Sequence, residues 1–222
     1  MKVLIACLFV FALCASADTL IDNFSVAQGP VEGDSWASGS GILGGTRYIH
    51  YDGTDSNYVE ATSGDLTFVY GDISLGDYIT ISYDGGAGDV TPDYTGLGGV
   101  NLGGSDGFLR FSFNASTNIE IWIFAWTDQE HASATSGLTV SDSSTPFTFD
   151  VSYSSFNRFG PLGDADFSNI GALQIQILPA AEPSSSAEMN IAEIRAIPEP
   201  ASAFLIIGIG IAGFFIRQRF AD

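Results

Sequence analysis

Short segments in which apolar and polar residues alternate recur along most of the chain, and they constrain the fold more than any other feature. Ile170–Ile177 alternates cleanly with its glutamines on one side, Met189–Ala196 shows the same pattern, and Phe108–Phe113 alternates with Phe111 and Phe113 on one face. A period of two indicates a strand with one buried face. Outside the two termini, no segment has the spacing of an amphipathic helix. The sequence therefore predicts an all-β protein, folded as an antiparallel β-sandwich.

The remaining predicted strands differ in how clearly they alternate. They are Leu20–Val26, Ile42–Tyr51, Tyr58–Ala61, Leu66–Tyr70, Tyr78–Tyr83, Ile119–Trp126, Gly137–Val140 and Pro146–Tyr153. Two glycine-rich stretches between them, Gly29–Gly41 and Asp84–Gly107, are predicted to be loops.

The segment Ile119–Trp126 is apolar on both sides, as in a central strand that is covered on both faces. Alternation places Glu120, Trp122 and Trp126 on the same face, where the two indole rings would form a surface for stacking sugars. The alternative interpretation is that both tryptophans are core residues. These three residues are our candidate glycan contacts, and Trp36 is a further exposed aromatic candidate.

The charge of the chain excludes several kinds of partner. The sequence has 7 Lys+Arg against 26 Asp+Glu, a net charge of −19. Within Asp18–Ile197 the basic residues are four arginines and no lysine. Such an acidic body argues against nucleic acid, which is bound by neutralising phosphates, and against docking on anionic lipid. It favours a soluble surface protein, or one that binds divalent cations.

The N-terminal residues have the composition of a secretory signal peptide. Met1-Lys2 is followed by the apolar run Val3–Leu13 and by Ala15-Ser16-Ala17, a small-x-small cleavage site that would leave Asp18 as the first mature residue. A lipoprotein that uses Cys14 and an uncleaved anchor are the alternatives. Cys7 and Cys14 are the only cysteines, so the mature body would contain no disulfide and no thiol nucleophile.

The C-terminal residues combine three features. Pro198-Glu199-Pro200 precedes an uncharged apolar run, Ala201–Ile216, and Arg217-Gln218-Arg219 follows it. As a helix the run would be about 24 Å long, which is short for a hydrocarbon core of about 30 Å but can be accommodated. The arginines fit the cytoplasmic side of a membrane. The alternative is a buried core helix.

This three-part tail resembles the PEP-CTERM sorting signal of Gram-negative bacteria, which also carries the label "ice-binding protein C-terminal". The resemblance implies recognition by an exosortase, a membrane-embedded Cys protease-transpeptidase, with Pro198, Glu199, Pro200, Arg217 and Arg219 as the sorting residues. It also implies an inner-membrane-anchored precursor that is exported by the secretion machinery. The tail is then removed, and the body is delivered to the cell surface or extracellular matrix. The resemblance indicates where the protein is delivered and implies no activity for it.

Three segments follow from these features: a signal peptide at 1–17, an extracytoplasmic β-sandwich at 18–196, and a sorting tail at 197–222 with a transmembrane helix at 201–216. The order of strands and turns in the body resembles the jelly-roll, galactose-binding-like domains that precede PEP-CTERM tails. The stretches that carry this resemblance are Ile21–Ser25, Ile42–Arg47, Tyr83–Gly86, Gly96–Leu102 and Phe167–Ala172. It transfers no functional residues.

Candidate catalytic and metal-binding residues are few. The two histidines, His50 and His131, lack a nearby nucleophile-elbow pattern, and the chain has no zinc-protease motif and no P-loop. Asp52, Asp55 and Asn57 are spaced like the oxygen ligands of a calcium turn, although Asp and Asn also occupy turns for conformational reasons. We therefore expect no required cofactor, with a structural calcium ion as an open alternative.

Three functions remain open from the sequence. The first is a non-enzymatic protein of the cell surface or exopolysaccharide matrix, which binds no nucleic acid and contacts extracellular polysaccharide. The second is a carbohydrate-binding module that uses exposed aromatic residues. The third is a polysaccharide-active enzyme with Glu120 among its acids.

Overall fold

The computed structural model describes residues 17–53, 57–70, 77–86, 91–180 and 187–199. These residues form fifteen strands and two three-residue 3-10 turns. The strands are β1 Thr19–Asp22, β2 Gln28–Val31, β3 Asp34–Ser38, β4 Thr46–Asp52, β5 Tyr58–Thr62, β6 Asp65–Tyr70, β7 Tyr78–Tyr83, β8 Phe108–Ala115, β9 Ile119–Trp126, β10 Ala132–Ala134, β11 Leu138–Val140, β12 Ser143–Ser152, β13 Asn157–Arg158, β14 Ala172–Pro179 and β15 Ala187–Ile197.

The strands form two antiparallel sheets. The seven-stranded sheet has the order β12-β8-β15-β6-β5-β2, with β1 also paired to β15. The eight-stranded sheet has the order β13-β10-β9-β14-β7-β4-β3, with β11 also paired to β9. The predicted all-β antiparallel sandwich is thus confirmed for the described part of the chain. The finer jelly-roll, galactose-binding-like arrangement stays a prediction.

One hydrophobic core lies between the two sheets. Ile81 and Ile123 of the eight-stranded sheet and Phe111 and Ile194 of the seven-stranded sheet belong to it, each with no exposed surface. The burial of β8 and β9 alternates strictly along most of each strand. For β8 the sequence predicted this alternation, whereas for β9 it predicted a strand covered on both faces, and the outward residues of β9 are largely half-buried. Alternate residues of every core strand therefore project to the outer faces of the sandwich.

A buried ion pair joins the two sheets at one end of the core. Arg47 of β4 is fully buried, and its guanidinium donates to Asp22 Oδ2 of β1 at 2.9 Å. It also donates to Gln28 Oε1 at 2.7 Å and to the carbonyl of Val26 at 2.8 Å, while Tyr83 donates to the same Asp22 oxygen. Because each sheet contributes partners, these bonds set how the sheets stack.

The prediction that Gly29–Gly41 is a loop is wrong, because this stretch contains most of β2 and all of β3. Both are edge strands, and β2 includes Pro30, which can occupy an edge because it lacks an amide donor. Edge strands are short and partly exposed, so they carry no clear apolar alternation. The second predicted loop, Asp84–Gly107, contains no strand among its described residues.

The two terminal segments of the prediction lie largely outside the described residues. This holds for the signal peptide up to Ser16 and for the predicted transmembrane helix at 201–216. In the ranges that the structure describes, no helix has the length and apolar character needed to span a bilayer.

Candidate functional site

In five neighbouring strands of the eight-stranded sheet, every second side chain points away from the core. These side chains form two rows on the outer face of the sheet. The first row runs from Phe124 through Gln174, Ser82 and Tyr48 to Trp36. The second row runs from Trp122 through Gln176, Thr80 and His50 to Asp34. We call these ten residues the aromatic-polar face. At the usual spacing of strands, the rows extend over about 19 Å.

The middle of the aromatic-polar face is lined by small side chains. Thr80 and Ser82 of β7 are 1% and 0% exposed, although they lie on the outer face. Gln174 Nε2 of the flanking strand β14 donates to Ser82 Oγ at 3.0 Å. Thr80 and Ser82 are therefore the most buried residues of the face.

The hydroxyl of Thr80 is a buried polar group without a hydrogen-bond partner among the described residues. Its neighbours across the strands are Gln176 and His50, whose side chains are both half-buried. A buried hydroxyl without a partner costs about 1–3 kcal/mol. A ligand hydroxyl or a water molecule that reaches this point would remove that cost.

One end of the face combines an exposed tryptophan with a carboxylate. The side chain of Trp36 is 60% exposed on edge strand β3. Asp34 on the same strand accepts the hydroxyl proton of Tyr48 at 2.5 Å and lies 2.6 Å from His50 Nδ1. The hydrogen bond from Tyr48, followed by that from His50, lowers the pKa of the Asp34 carboxyl. Asp34 therefore holds both rings in place beside Trp36.

The other end of the face contains Trp122, which was a predicted glycan contact. Its ring is half-buried, and Nε1 donates to Glu120 Oε1 at 2.8 Å. Gly137 lies against this carboxylate, since a Cβ atom at that position would be 1.7 Å from the same oxygen. Glu120 is thus engaged in orienting the indole, and the space around its carboxyl is occupied on one side.

Trp126, the third predicted contact, is 7% exposed and lies in an aromatic cluster. Its ring is 5.7 Å from that of Phe159 and 5.5 Å from that of Tyr94, and it stacks with Phe124 at 6.0 Å. Phe159 meets both Trp126 and Phe124 edge-on and is itself 50% exposed. Trp126 therefore supports Phe159, and Phe159 is the most exposed member of the cluster.

The sequence did not indicate Phe159, because it lies in an irregular turn rather than in an alternating strand. Its amide donates to the carbonyl of Ala132 at 3.0 Å, and the guanidinium of Arg158 donates to the carbonyls of Gly160 and Pro161. The one local signal was an aromatic residue directly before Gly160-Pro161, a dipeptide that marks a turn.

The two histidines are each held by a carboxylate. His50 contacts Asp34 as described, and His131 Nδ1 lies 3.0 Å from Asp128 Oδ1. Asp128 also accepts the backbone amides of Glu130 and His131, so the pair closes a turn after β9. These contacts, led by that with the His131 side chain, lower the pKa of Asp128.

The predicted calcium ligands are not brought together among the described residues. Asp52 is exposed at the end of β4, whereas Asn57 is buried and donates to Asp77 Oδ2 at 3.0 Å. Asp55 lies outside the described residues. In the part of the chain that the structure describes, no group of three or more His, Cys, Asp or Glu side chains is placed to hold a metal ion. The calcium site stays a prediction.

The predicted processing residues lie on either side of one pair of strands. Ala17 and Asp18 are exposed immediately before β1, and Thr19 of β1 pairs with Ala196 of β15. Pro198 is buried and Glu199 is exposed. The other predicted processing residues, Ala15, Pro200, Arg217 and Arg219, lie outside the described residues.

Comparison with solved structures finds carbohydrate-binding modules at low identity. A mutant of a family 29 carbohydrate-binding module is 13% identical, covering 81% of this chain and 90% of that one, with a TM-score of 0.41. A family 29 module complexed with mannohexaose is 14% identical, with coverages of 85% and 96% and a TM-score of 0.41. The family 11 module of a cellulosomal cellulase of Clostridium thermocellum is 16% identical, with coverages of 83% and 96% and a TM-score of 0.42.

Comparison of sequences locates a motif at the C-terminal end. No curated protein matches the chain. The family model of the PEP-CTERM protein-sorting motif matches residues 196–219, as the sequence analysis predicted. This motif indicates an exported protein that is processed at the membrane. The chain therefore carries a PEP-CTERM protein-sorting motif that begins within the last two residues of β15.

Proposed function

We propose that this chain is a non-enzymatic exported protein of the cell surface or exopolysaccharide matrix, and that its sandwich binds a neutral glycan on the aromatic-polar face. An exosortase recognises the C-terminal motif in the inner-membrane-anchored precursor of a Gram-negative bacterium and releases the body. The binding event requires no cofactor and involves no nucleic acid. The sorting part of this proposal is supported by the motif at residues 196–219.

The binding part is carried by one observation: an exposed Trp36 and a half-buried Trp122 stand at opposite ends of two rows of polar side chains. Sugar rings present apolar C–H faces to aromatic rings and hydroxyl groups to hydrogen-bonding side chains. Ligand sites characteristically combine such aromatic surfaces with a few convergent polar groups. Gln176 and His50, which lie between the two tryptophans and are half-buried, supply such groups, and the buried hydroxyl of Thr80 lies between them without a partner among the described residues.

Charge favours a neutral ligand over an acidic one. The chain has a net charge of −19. The aromatic-polar face includes the carboxylate of Asp34 and contains no lysine or arginine. An anionic polysaccharide would be repelled by the field of the whole body and would find no lysine or arginine among the ten residues of the face. A neutral polysaccharide loses nothing from this field, so its stacking and hydrogen bonds decide its affinity.

The test is a titration of the exported protein with soluble neutral and anionic polysaccharides by calorimetry. We expect binding to at least one neutral polysaccharide, and about a tenfold loss of affinity, or about 1.4 kcal/mol, in Trp36→Ala and in Trp122→Ala. Phe108→Ala, which removes an aromatic ring from the outer face of the other sheet, is the matched control and should bind like the wild type. Absence of binding to every neutral polysaccharide, or an equal loss in the control, would contradict the proposal.

A further inference from the structure

The sorting motif and the folded sandwich share residues. The motif begins at residue 196, whereas β15 ends at Ile197 and Pro198 is buried beyond it. The first three residues of the motif therefore belong to the folded body. The first exposed residue of the motif in the described part of the chain is Glu199.

Ala196 is held from both sides of its strand. It pairs with Thr19 of β1 on one side and with Leu109 of β8 on the other, and it has no exposed surface. Ile197 pairs with Phe108. The C-terminal end of β15 is thus paired within the sheet and is not a frayed terminus.

Pro198 is held by the loop that precedes β8. A Cβ atom on Gly103 would lie 2.8 Å from the Cα of Pro198, and Gly103 has a φ of +109°, so a residue with a side chain would not fit there. The same loop is anchored by the Tyr153 hydroxyl, which donates to the carbonyl of Leu102 at 2.9 Å, and by the Tyr153 amide, which donates to that of Gly107. Pro198 therefore packs against a fixed surface.

We propose that the sandwich itself sets the position of the sorting cut, so that the bond broken lies C-terminal to Glu199 and the mature body keeps β15 and Pro198 intact. A protease binds its substrate as an extended segment with free backbone groups. Ala196 could be bound in this way only after leaving β1 and β8, Ile197 only after leaving β8, and Pro198 only after leaving Gly103. Glu199 is exposed and belongs to no strand, so it makes no such demand.

The chemistry is that of one acyl transfer. The thiolate of the sorting enzyme attacks the carbonyl carbon of the residue before the cut, the C–N bond breaks, and the tail leaves with a protonated amino group. Water, or an amine acceptor in transpeptidation, then takes the acyl group and restores the thiol. The inference concerns only which carbonyl is reached, and it rests on the sorting step of the proposed function.

The first test is the intact mass of the mature protein, recovered from a host that has an active sorting protease. We expect a C-terminal residue at Glu199 or beyond. A mature body that ends at Pro198 or earlier would overturn the inference while leaving the sorting step of the proposed function in place. A chain that keeps its whole tail in that host would overturn the sorting step, and the inference with it, and this outcome has a distinct mass.

The second test moves the motif away from the sandwich. A four-residue Gly-Ser spacer between Ile197 and Pro198 leaves Pro-Glu-Pro whole and frees it from Gly103. We expect the mature mass to rise by that of the spacer and the half-time of processing to shorten several-fold. The matched control places the same spacer between Pro200 and Ala201, which leaves Pro198 against Gly103 and should not shorten the half-time. A mature mass without the spacer in the first variant, or equal acceleration by both spacers, would overturn the inference.

Discussion

The indole Nε1 of Trp122 donates a hydrogen bond to Oε1 of Glu120, two residues earlier on the same outward face of β9, at 2.8 Å. We therefore expect Glu120 to act as a positioning residue for the ring. Glu120→Gln keeps an oxygen acceptor and should bind glycan like the wild type. Glu120→Ala frees the ring and should lower affinity about 3- to 10-fold, in line with about 1 kcal/mol for one hydrogen bond.

Calorimetric titration of both variants checks this prediction, together with an assay for reducing ends released from the bound polysaccharide. We expect no release by the wild-type protein. If release occurred and disappeared in Glu120→Gln, Glu120 would be a catalytic acid or base and the non-enzymatic proposal would be wrong.

Replacing Thr80 by Val should affect the free energy of unfolding and the affinity for glycan differently. The hydroxyl is buried without a partner among the described residues, so its removal by a side chain of the same shape should leave the free energy of unfolding unchanged or raise it by about 1 kcal/mol. The same change should weaken glycan binding, since it removes a hydrogen-bonding group from the middle of the face.

Urea unfolding and glycan titration of Thr80→Val provide the two measurements. The matched control is Thr67→Val, because the hydroxyl of Thr67 donates to Asn190 Oδ1 at 2.7 Å in the other sheet. This control should lose about 1 kcal/mol of stability and keep its affinity. Loss of stability in Thr80→Val with unchanged affinity would argue that the hydroxyl has only a structural role.

Removing Arg47 should be among the most destabilising single changes in the sandwich. Arg47→Met leaves the buried carboxylate of Asp22 without its cation, which typically costs about 3–5 kcal/mol. The exposed pair of Arg110 with Asp150 is the control, and Arg110→Met should cost less than about 1 kcal/mol. Urea unfolding of both variants checks the difference. Similar losses in the two would mean that the Asp22 pair does not set the stacking of the sheets.

Asp34 should make the free energy of unfolding depend on pH in the acidic range. Its folded-state pKa lies below the ordinary value of 3.8, chiefly because Tyr48 donates a hydrogen bond to the carboxylate. The unfolded chain therefore binds the proton more readily, so the contribution of Asp34 is present above pH 3.8 and is lost as pH falls through the folded-state pKa. Tyr48→Phe should shift the folded-state pKa upward and reduce this loss.

Unfolding followed as a function of pH in the wild type, Tyr48→Phe and Asp34→Asn measures this dependence. In the region just below pH 3.8, both variants should lose less stability per pH unit than the wild type. Identical slopes in the three proteins would show that other carboxylates dominate the acid response.

Much of the fold followed from local pattern. The alternation in β8 and β14 identified both strands and their buried faces, because a period of two survives in any regular strand with one side in the core. Edge strands β2 and β3 were not predicted, because an edge strand lies partly in solvent and requires neither alternation nor apolar residues. Trp36 was recognised as an aromatic residue, but its place on β3 was not.

The sequence by itself determined the all-β character of the body, its acidic charge and the sorting motif at residues 196–219, since each of these depends on composition or on a contiguous run of residues. Only the tertiary structure decided that Trp36 and Trp122 end two rows over the same sheet, that Phe159 covers Trp126, and that Pro198 is buried against Gly103. These relationships join residues far apart in the chain. They depend on strand order and register, which long-range packing of the core selects and which no local pattern encodes.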